Sequence, residues 1–384
     1  MTGGGSGGHI TPLLSLAQEL RAQQPNAQII YIGHKGDNFD TLGLPKHDFD
    51  FLSFINAGKF RRYHGESFIS HLADIKTLAL NIRDVFRVIK SIGTAYRILS
   101  RTRADVVFAK GGFVSVPVGI AARIKRIPIV THDSDAVSGL ANRIVGRWAN
   151  VKATGMPVSF YKSGRAHLEY VGIPLDAKIV PVTPSLQASY KHHLELASTA
   201  KVLLVAGGGL GSLKLNQLIV SAASRLLQAN DELAIVHITG QQHLESTKAA
   251  YGDSVDKIQL RRISCISFTP EFYKFSGAAD LILSRAGATV IAEFAVQAKA
   301  CIIVPSPFLA GGHQLKNAEE LAAHDAAVVL REDTDVDELT GVITHLLNDD
   351  KRRYELASNI HKLAKPGAGA KLAKIILAQV TNEV

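Results

Sequence analysis

Residues 3–8 read Gly3-Gly4-Gly5-Ser6-Gly7-Gly8, and His9 follows. Five glycines in six positions exclude a helix or strand interior, where glycine gives up the most backbone entropy and brings no side chain to pack. Such a stretch makes a loop whose backbone another molecule can approach closely. After it, Ile10, Leu13, Leu14, Leu16, Ala17 and Leu20 recur at helical spacing, as one buried face of a helix does. His9 then stands at the helix N-terminus, where unpaired N–H groups and the helix dipole disfavour an imidazolium. A neutral imidazole near pH 7 is the form a general base needs. The stretch also matches a dinucleotide fingerprint, as Gly3-x-Gly5-x-x-Gly8. An acidic residue should then end the next strand. Residues 28–32 read as that strand, and Gly33-His34-Lys35 follow instead.

A loop of this kind follows a buried strand, yet only Met1 and Thr2 precede it. The reading favours a true start several residues upstream over a sheet lacking its central strand. A length of 384 residues fits about two domains. Two cysteines, Cys265 and Cys301, build neither a disulfide framework nor a metal cluster, so a reducing cytoplasm is expected. The reading expects no secretory leader, and no uninterrupted apolar run reaches the ~18 residues of a membrane span.

Strand-like and helical runs alternate. Residues 105–109, 127–131, 201–206, 233–239, 279–284 and 300–305 have strand character. That alternation predicts an α/β fold with doubly wound parallel sheets and ligands at the strands' C-terminal ends. The pattern weakens across 155–198, which holds Pro157, Pro174, Pro181 and Pro184. The second half restarts with a strand, Gly207-Gly208-Gly209-Leu210-Gly211 and a helix. We therefore expect an N-terminal domain over 1–170, a second over 171–364, and a C-terminal helix within 365–384 that packs back on the first. Two Rossmann-like halves would face each other across a cleft.

The charge is uneven. Residues 59–103 hold ten Lys/Arg against three Asp/Glu, most of the chain's net +9. Phe68, Leu72, Ile75, Ala79, Ile82, Phe86 and Ile89 recur every three or four residues. Lys76, Arg83, Arg87, Lys90, Arg97 and Arg101 fall on a narrow face beside them. Gly93 is a candidate break. Two readings stand: a core-facing helix with a solvated basic edge, or a surface that docks on anionic lipid. Nucleic acid is disfavoured, because no aromatic-rich basic groove or zinc pattern accompanies the charge.

Several stretches can carry chemistry. Ser284-Arg285-Ala286-Gly287-Ala288-Thr289 links a strand to a helix, a turn that bares backbone N–H groups to phosphate. Glu293 lies just over one turn into that helix, placed for ribose hydroxyls or, more plainly, for solvent. His313, Gln314 and Asn317 open another helix; Gln314 and Asn317 share a face, suited to sugar hydroxyls or to a polar helix start. His132-Asp133-Ser134-Asp135 holds an Asp-x-Asp, but Asp333-Thr334-Asp335 matches as well. No phosphate-binding G-x-x-x-x-G-K-[ST] occurs, and no nucleophile elbow surrounds Ser134.

Taken in order, six motifs resemble the MurG family of glycosyltransferase family 28 over nearly the whole chain. They are the loop ending in His9; Gly111-Gly112-Phe113-Val114-Ser115; His132 with Gly139-Leu140-Ala141-Asn142-Arg143; the loop at 207–211; Arg285-Ala286-Gly287-Ala288 with Glu293; and His313-Gln314-x-x-Asn317-Ala318. The resemblance implies a GT-B fold and inverting transfer of N-acetylglucosamine from UDP-N-acetylglucosamine to the muramyl 4-hydroxyl of undecaprenyl-linked lipid I. It implies no cofactor and no bound metal. It makes His9 the base and places Gly5, Ser6, Gly7, Gly8, Asp135, Gly209 and Thr269 among the substrate contacts. Ala288 and Thr289 would hold the diphosphate, Glu293 the ribose, and His313, Gln314 and Asn317 the donor sugar or departing diphosphate. Uracil would lie against the backbone near Phe268 and Thr269. Lys76, Arg83, Arg87 and Lys90 fall where this family docks on the membrane, which implies a peripheral protein on its cytoplasmic face and a cell-wall synthesis complex as a partner. The chain departs from the family at Asp133-Ser134-Asp135, where Glu-Gln-Asn is common, at Asp176 for a basic residue, at Gly209 for Ser and at Phe113 for Tyr. The competing functions are a related enzyme acting on another lipid such as diacylglycerol, a non-catalytic nucleotide-sugar binder, and an NAD-linked oxidoreductase.

Overall fold

The computed structural model describes residues 1–3, 7–35, 48–58, 75–162 and 166–381; within these, the side chains of 7–11, 75–82, 310 and 381 are not described. The chain divides into two units, Met1–Asp176 with Gly367–Val384, and Ala177–Pro366.

In the first unit, α1 (Gly7–Gln23) leads to β1 (Ile30–His34), β2 (Phe51–Ile55), α2 (Ile75–Arg101), β3 (Val107–Ala109) and α3 (Ser115–Lys125). There follow β4 (Ile129–Asp133), α4 (Leu140–Val145), β5 (Val151–Thr154) and β6 (His167–Tyr170). Every pairing is parallel: β1 with β2, and β3-β4-β5-β6 in order. Thr2 bridges both groups, pairing in parallel with Ile32 and with Ala109. The helix α1 begins at Gly7, inside the stretch read from the sequence as loop. Glycine costs little there, because the first N–H groups of a helix have no intrahelical partner in any case. The sheet carries a core on each face: Leu13, Leu16, Tyr31 and Phe108 on one, Ile55, Ala95, Leu99 and Val118 on the other. The helix Ala368–Thr381 closes the first core with Leu372, Ala373 and Ile376.

The second unit runs α5 (Pro184–His193), β7 (Lys201–Ala206), α6 (Leu213–Ala229), β8 (Leu233–Ile238), α7 (Leu244–Ser254), α8 (Lys257–Leu260) and β9 (Ile263–Ile266). It continues with α9 (Phe272–Ala278), β10 (Leu281–Ser284), α10 (Ala288–Gln297), β11 (Cys301–Ile303), α11 (His313–Ala323), β12 (Val328–Val329), α12 (Val336–Asn348) and α13 (Asp350–Lys362). The C-terminal helix Ala368–Thr381, which belongs to the first unit, is α14. All six strands are parallel in the order β12-β11-β10-β7-β8-β9. The chain leaves β7 toward β8 and β9, then returns to β10 on β7's other side. That reversal is where doubly wound sheets bind ligands. On α6, Leu215, Ile219, Ala223 and Leu226 are buried against the sheet; each large side chain contributes about 2 kcal/mol of burial.

One sequence expectation fails here. Gly93 does not break α2, which runs for 27 residues. A mid-helix glycine costs about 1 kcal/mol, and Ala95 and Leu99 in the core, with Ser91 donating to Asn56 O at 3.0 Å, outweigh that cost.

Candidate active site

The first unit reverses its strand order at Thr2. Thr2 N–H donates to Phe108 O at 2.8 Å, Lys110 N–H to Thr2 O at 2.9 Å, and Thr2 Oγ1 to Ile32 O at 2.9 Å. Tyr31 Oη–H donates to Gly3 O at 2.8 Å and pins the entry to the Gly loop. Gly5 and Ser6 lie outside the described residues. Gly7, Gly8 and His9 form the first turn of α1.

Beside this turn in the sheet order, β3 ends in Lys110-Gly111-Gly112. Gly111 and Gly112 have φ of 118° and 78°, a region that strains any residue with a Cβ. Ser115 Oγ closes the turn on Gly111 O at 2.6 Å. Lys110 is buried and donates to Ser134 Oγ at 2.5 Å. Burial pushes its ammonium down to about 8, while Asp133 and Asp135 pull the other way. His132 is fully buried; its Nε2–H donates to Gly172 O at 2.8 Å. Among the described residues its Nδ1 has no partner. Burial, and then the Lys110 charge, hold this imidazole well below its ordinary value despite the bond to Gly172. It is therefore neutral at pH 7. Asn142 Nδ2 donates to His132 O and to Asp133 Oδ1, both at 2.9 Å, and Ser138 Oγ donates to Asp133 Oδ2 at 2.9 Å. Burial raises the Asp133 carboxyl against these bonds. Asp135 is partly exposed, and its carbonyl accepts from Tyr161 Oη at 2.8 Å. Among the described residues no group of three or more His, Cys, Asp or Glu is placed to hold a metal ion.

In the second unit the loops after β7, β10 and β11 lie side by side, because those strands are neighbours. Gly208 and Gly211 take φ of 89° and 78°; a Cβ on Gly211 would lie 2.1 Å from Thr239 O. Gly209 is exposed at the loop's tip, with open space around it. Ser212 caps α6 by accepting from Leu215 N. Arg285 runs beneath these loops. Its Nε and Nη2 donate to Ser212 Oγ at 3.0 and 2.7 Å, its Nη1 to Val304 O at 3.0 Å, and its Nη2 to Glu332 Oε1 at 2.6 Å. One guanidinium thus joins all three loops.

The helix α10 starts at Gly287 with no side-chain cap. Its first amides, at Ala288 and Thr289, are the orphan donors an anion takes up. Glu293 is partly exposed on the second turn. Thr269 follows β9, where its Oγ1 accepts from Glu271 N at 3.1 Å, beside the half-exposed Phe268. His313 opens α11 after Gly311 and Gly312, both at positive φ. Gln314 turns its Oε1 to Ser306 N–H at 2.9 Å. Asn317 is fully buried one turn further along α11 and donates to Ala286 O at 2.9 Å.

On α2, Lys76 is placed only by its backbone. Phe86 and Ile89 are 67% and 59% exposed beside the exposed Lys90. At Phe86 and Ile89 the apolar stripe therefore faces outward, against the core-facing one of the two readings, and Asp84, Ser91, Ala95 and Leu99 form the buried side. Arg83 and Arg87 hold the buried Asp84 Oδ1 at 3.3 and 3.2 Å. Among the described residues no helix is long and apolar enough to cross a membrane.

The sequence reading passed over the roles of Arg285, Ser212 and Lys110. Ser212 carries a recognisable signal, a serine just ahead of an apolar-periodic run. Lys110 is marked only by its place at the end of an apolar strand before two glycines, and nothing local marks Arg285 as a tie among three loops.

Family models match both halves: the glycosyltransferase family 28 N-terminal domain over residues 1–154 and the family's C-terminal domain over 202–372. A relative from Symbiobacterium thermophilum is 32% identical over 98% of this chain and 95% of its own length. One from Clostridium perfringens is 33% identical over 96% and 94%. Both bear the name UDP-N-acetylglucosamine–N-acetylmuramyl-(pentapeptide) pyrophosphoryl-undecaprenol N-acetylglucosamine transferase. The crystal structure of Acinetobacter baumannii MurG matches with a TM-score of 0.70 and 25% identity, over 98% of this chain and 99% of that one. A UDP complex of Staphylococcus aureus MnaA shares the fold, with a TM-score of 0.65 at 14% identity.

Proposed function

The chain belongs to glycosyltransferase family 28, and we propose that it transfers N-acetylglucosamine from UDP-N-acetylglucosamine to the muramyl 4-hydroxyl of undecaprenyl-linked lipid I. The observation that carries this reading is the full-length likeness to relatives that bear that activity in their names.

The donor binds the second unit. Its diphosphate takes up the uncapped amides of Ala288 and Thr289, where the helix dipole stabilises the charge of the departing UDP. Glu293 accepts from the ribose hydroxyls, and the backbone at Phe268 and Thr269 reads uracil. His313 and Gln314 reach the sugar or the β-phosphate, while Asn317 and Arg285 hold the loops that do so. The exposed Gly209 leaves room for close approach.

The acceptor binds the first unit. Gly5, Ser6, Gly7 and Gly8 give backbone donors, and Asp135 accepts from a sugar hydroxyl. His9 takes the proton of the 4-hydroxyl as its oxygen forms a bond to C1 of N-acetylglucosamine. The bond from C1 to the diphosphate oxygen breaks on the opposite face, and UDP leaves with the electron pair. Attack on the face of C1 away from the departing UDP inverts that carbon through an oxocarbenium-like state. The apolar and basic surface of α2, with Phe86, Ile89 and Lys90 outward, rests on anionic lipid at the cytoplasmic face of the membrane and brings the site to a lipid-borne acceptor.

Side-by-side assays with lipid I and diacylglycerol test the reading. Labelled N-acetylglucosamine should appear on lipid I alone. Label on diacylglycerol and none on lipid I would replace the acceptor, and binding of UDP-N-acetylglucosamine with no transfer to either would remove the catalytic claim.

A further inference from the structure

In the second unit, the turn after β7 brings no polar side chain across Gly207-Gly208-Gly209-Leu210-Gly211. The first polar side chains beyond it are Ser212 and Lys214, at the start of α6. Both reach the same ion pair, Arg285 with Glu332. Ser212 Oγ accepts from Arg285 Nε at 3.0 Å and Nη2 at 2.7 Å, and Lys214 Nζ stands 3.9 Å from Glu332 Oε2. Glu332 Oε1 is held more closely, by Arg285 Nη2 at 2.6 Å. Arg285 in turn lies just ahead of Ala288, where α10 begins.

A hydroxyl oxygen has two lone pairs and one hydrogen. The lone pairs of Ser212 are taken by the guanidinium and by Leu215 N–H at 3.4 Å. Its hydrogen is therefore left to donate, and among the described residues it meets no acceptor. The guanidinium polarises that O–H and strengthens it as a donor. Charge points to the same kind of ligand. Arg285 and Lys214 carry two positive charges against the one negative charge of Glu332, while neighbouring Arg331 and Asp333 pair with each other at 2.7 Å. The surplus is one positive charge, and Lys214 is its accessible member, with a side chain 57% exposed and only loosely held. A forced donor beside a surplus cation suits an anionic oxygen. Resting on the reading above that a UDP-sugar's diphosphate lies at the start of α10, we propose that Ser212 and Lys214 are two further binding residues for it. The Ser212 hydroxyl donates to a phosphate oxygen, and the Lys214 ammonium leaves Glu332 to pair with the same group. Arg285 is the positioning residue behind them: it orients the hydroxyl and keeps Glu332 neutralised once Lys214 turns away. The two side chains recognise phosphate, not the nucleoside.

Titration calorimetry on the full chain with UDP and with uridine, alongside thermal melts, tests this. Ser212→Asp keeps an N-cap for α6 and an acceptor for Arg285, so Tm should not fall. It removes the donor and adds a like charge, so UDP affinity should drop by about tenfold or more, with uridine affinity unchanged. Lys214→Gln should weaken UDP binding by about threefold and reduce its salt dependence, and Lys214→Arg should restore both. Native-like UDP affinity in Ser212→Asp and Lys214→Gln, from a chain that binds UDP, would overturn the inference and leave the proposed donor standing. Equal losses for UDP and uridine would overturn it too, because they report a deformed loop and not a lost phosphate contact. A native chain that binds no UDP would remove the proposed donor and this inference together.

Discussion

Arg285 shows how one side chain organises a site without lining it. Its guanidinium bonds Ser212, Val304 and Glu332, and Glu332 has a side chain only 9% exposed. Arg285→Ala leaves that buried carboxylate with only the longer Lys214 contact at 3.9 Å, so it should cost about 3 kcal/mol. Arg285→Lys supplies one point charge where a planar fork is used, and should also loosen UDP-N-acetylglucosamine binding. Thermal melts and titration calorimetry check both. His237 is the opposite case, a histidine that serves the core. Its Nε2–H donates to Asn216 Oδ1, and Tyr251 Oη–H donates to its Nδ1, each at 3.0 Å. Burial lowers its pKa from 6.5 to about 3. Between those values the unfolded chain binds a proton that the folded one refuses. Stability from this site is therefore complete above about pH 6.5 and is lost as pH falls toward 3. Urea unfolding at pH 7, 5.5 and 4 should show the decline, and His237→Gln should flatten part of it. A slope unchanged in the variant would assign the decline to other groups.

At the scale of elements, α2 carries the clearest expectation. Phe86 and Ile89 touch little of the protein, so Phe86→Ser with Ile89→Ser should leave Tm within about 1 °C while weakening binding to anionic vesicles. Reversing Arg83, Arg87 and Lys90 together should weaken it further, by up to about 1 kcal/mol per charge. Part of that loss at Arg83 and Arg87 is structural, because both hold Asp84, which makes Lys90→Glu the cleaner probe. Unchanged vesicle binding in all of these would return α2 to an ordinary surface helix. Periodicity shows that a helix has an apolar stripe, not which stripe meets the core, and on α2 the small residues Ser91 and Ala95 face inward instead. Strands were legible for a related reason. The runs at β4, β7, β10 and β11 are buried on both faces and read as unbroken apolar stretches. β6 (His167–Tyr170), β9 (Ile263–Ile266) and β12 (Val328–Val329) are short, lie at or next to sheet edges, and are only half-buried, so their sequences carry no such signal. β2 is missed for the same cause, with Phe51 57% exposed.

On the scale of the whole molecule, each unit is a parallel sheet whose chain reverses direction beside a glycine-rich turn and a helix start. The glycine loops were legible because positive φ selects glycine in plain sight, at Gly111, Gly112, Gly208 and Gly211. Long-range ties such as Arg285 to Glu332 and Asn317 to Ala286 were not, since no local spacing records them. Gly211→Ala belongs to this scale as well: a Cβ there meets Thr239 O, so the loop must shift, and UDP-N-acetylglucosamine binding should fall by about tenfold or more, read by calorimetry. The proposed reaction turns on His9, in the first turn of α1, as the base for transfer of N-acetylglucosamine to lipid I. The direct measurement is the rate of labelled transfer in detergent by the native chain and by His9→Ala, with UDP-N-acetylglucosamine affinity measured on both. The native chain should turn over, and the variant should lose about two to four orders of magnitude in rate with its donor affinity intact. Equal rates from the two proteins, or no product from a folded native chain that binds the donor, would contradict the claim.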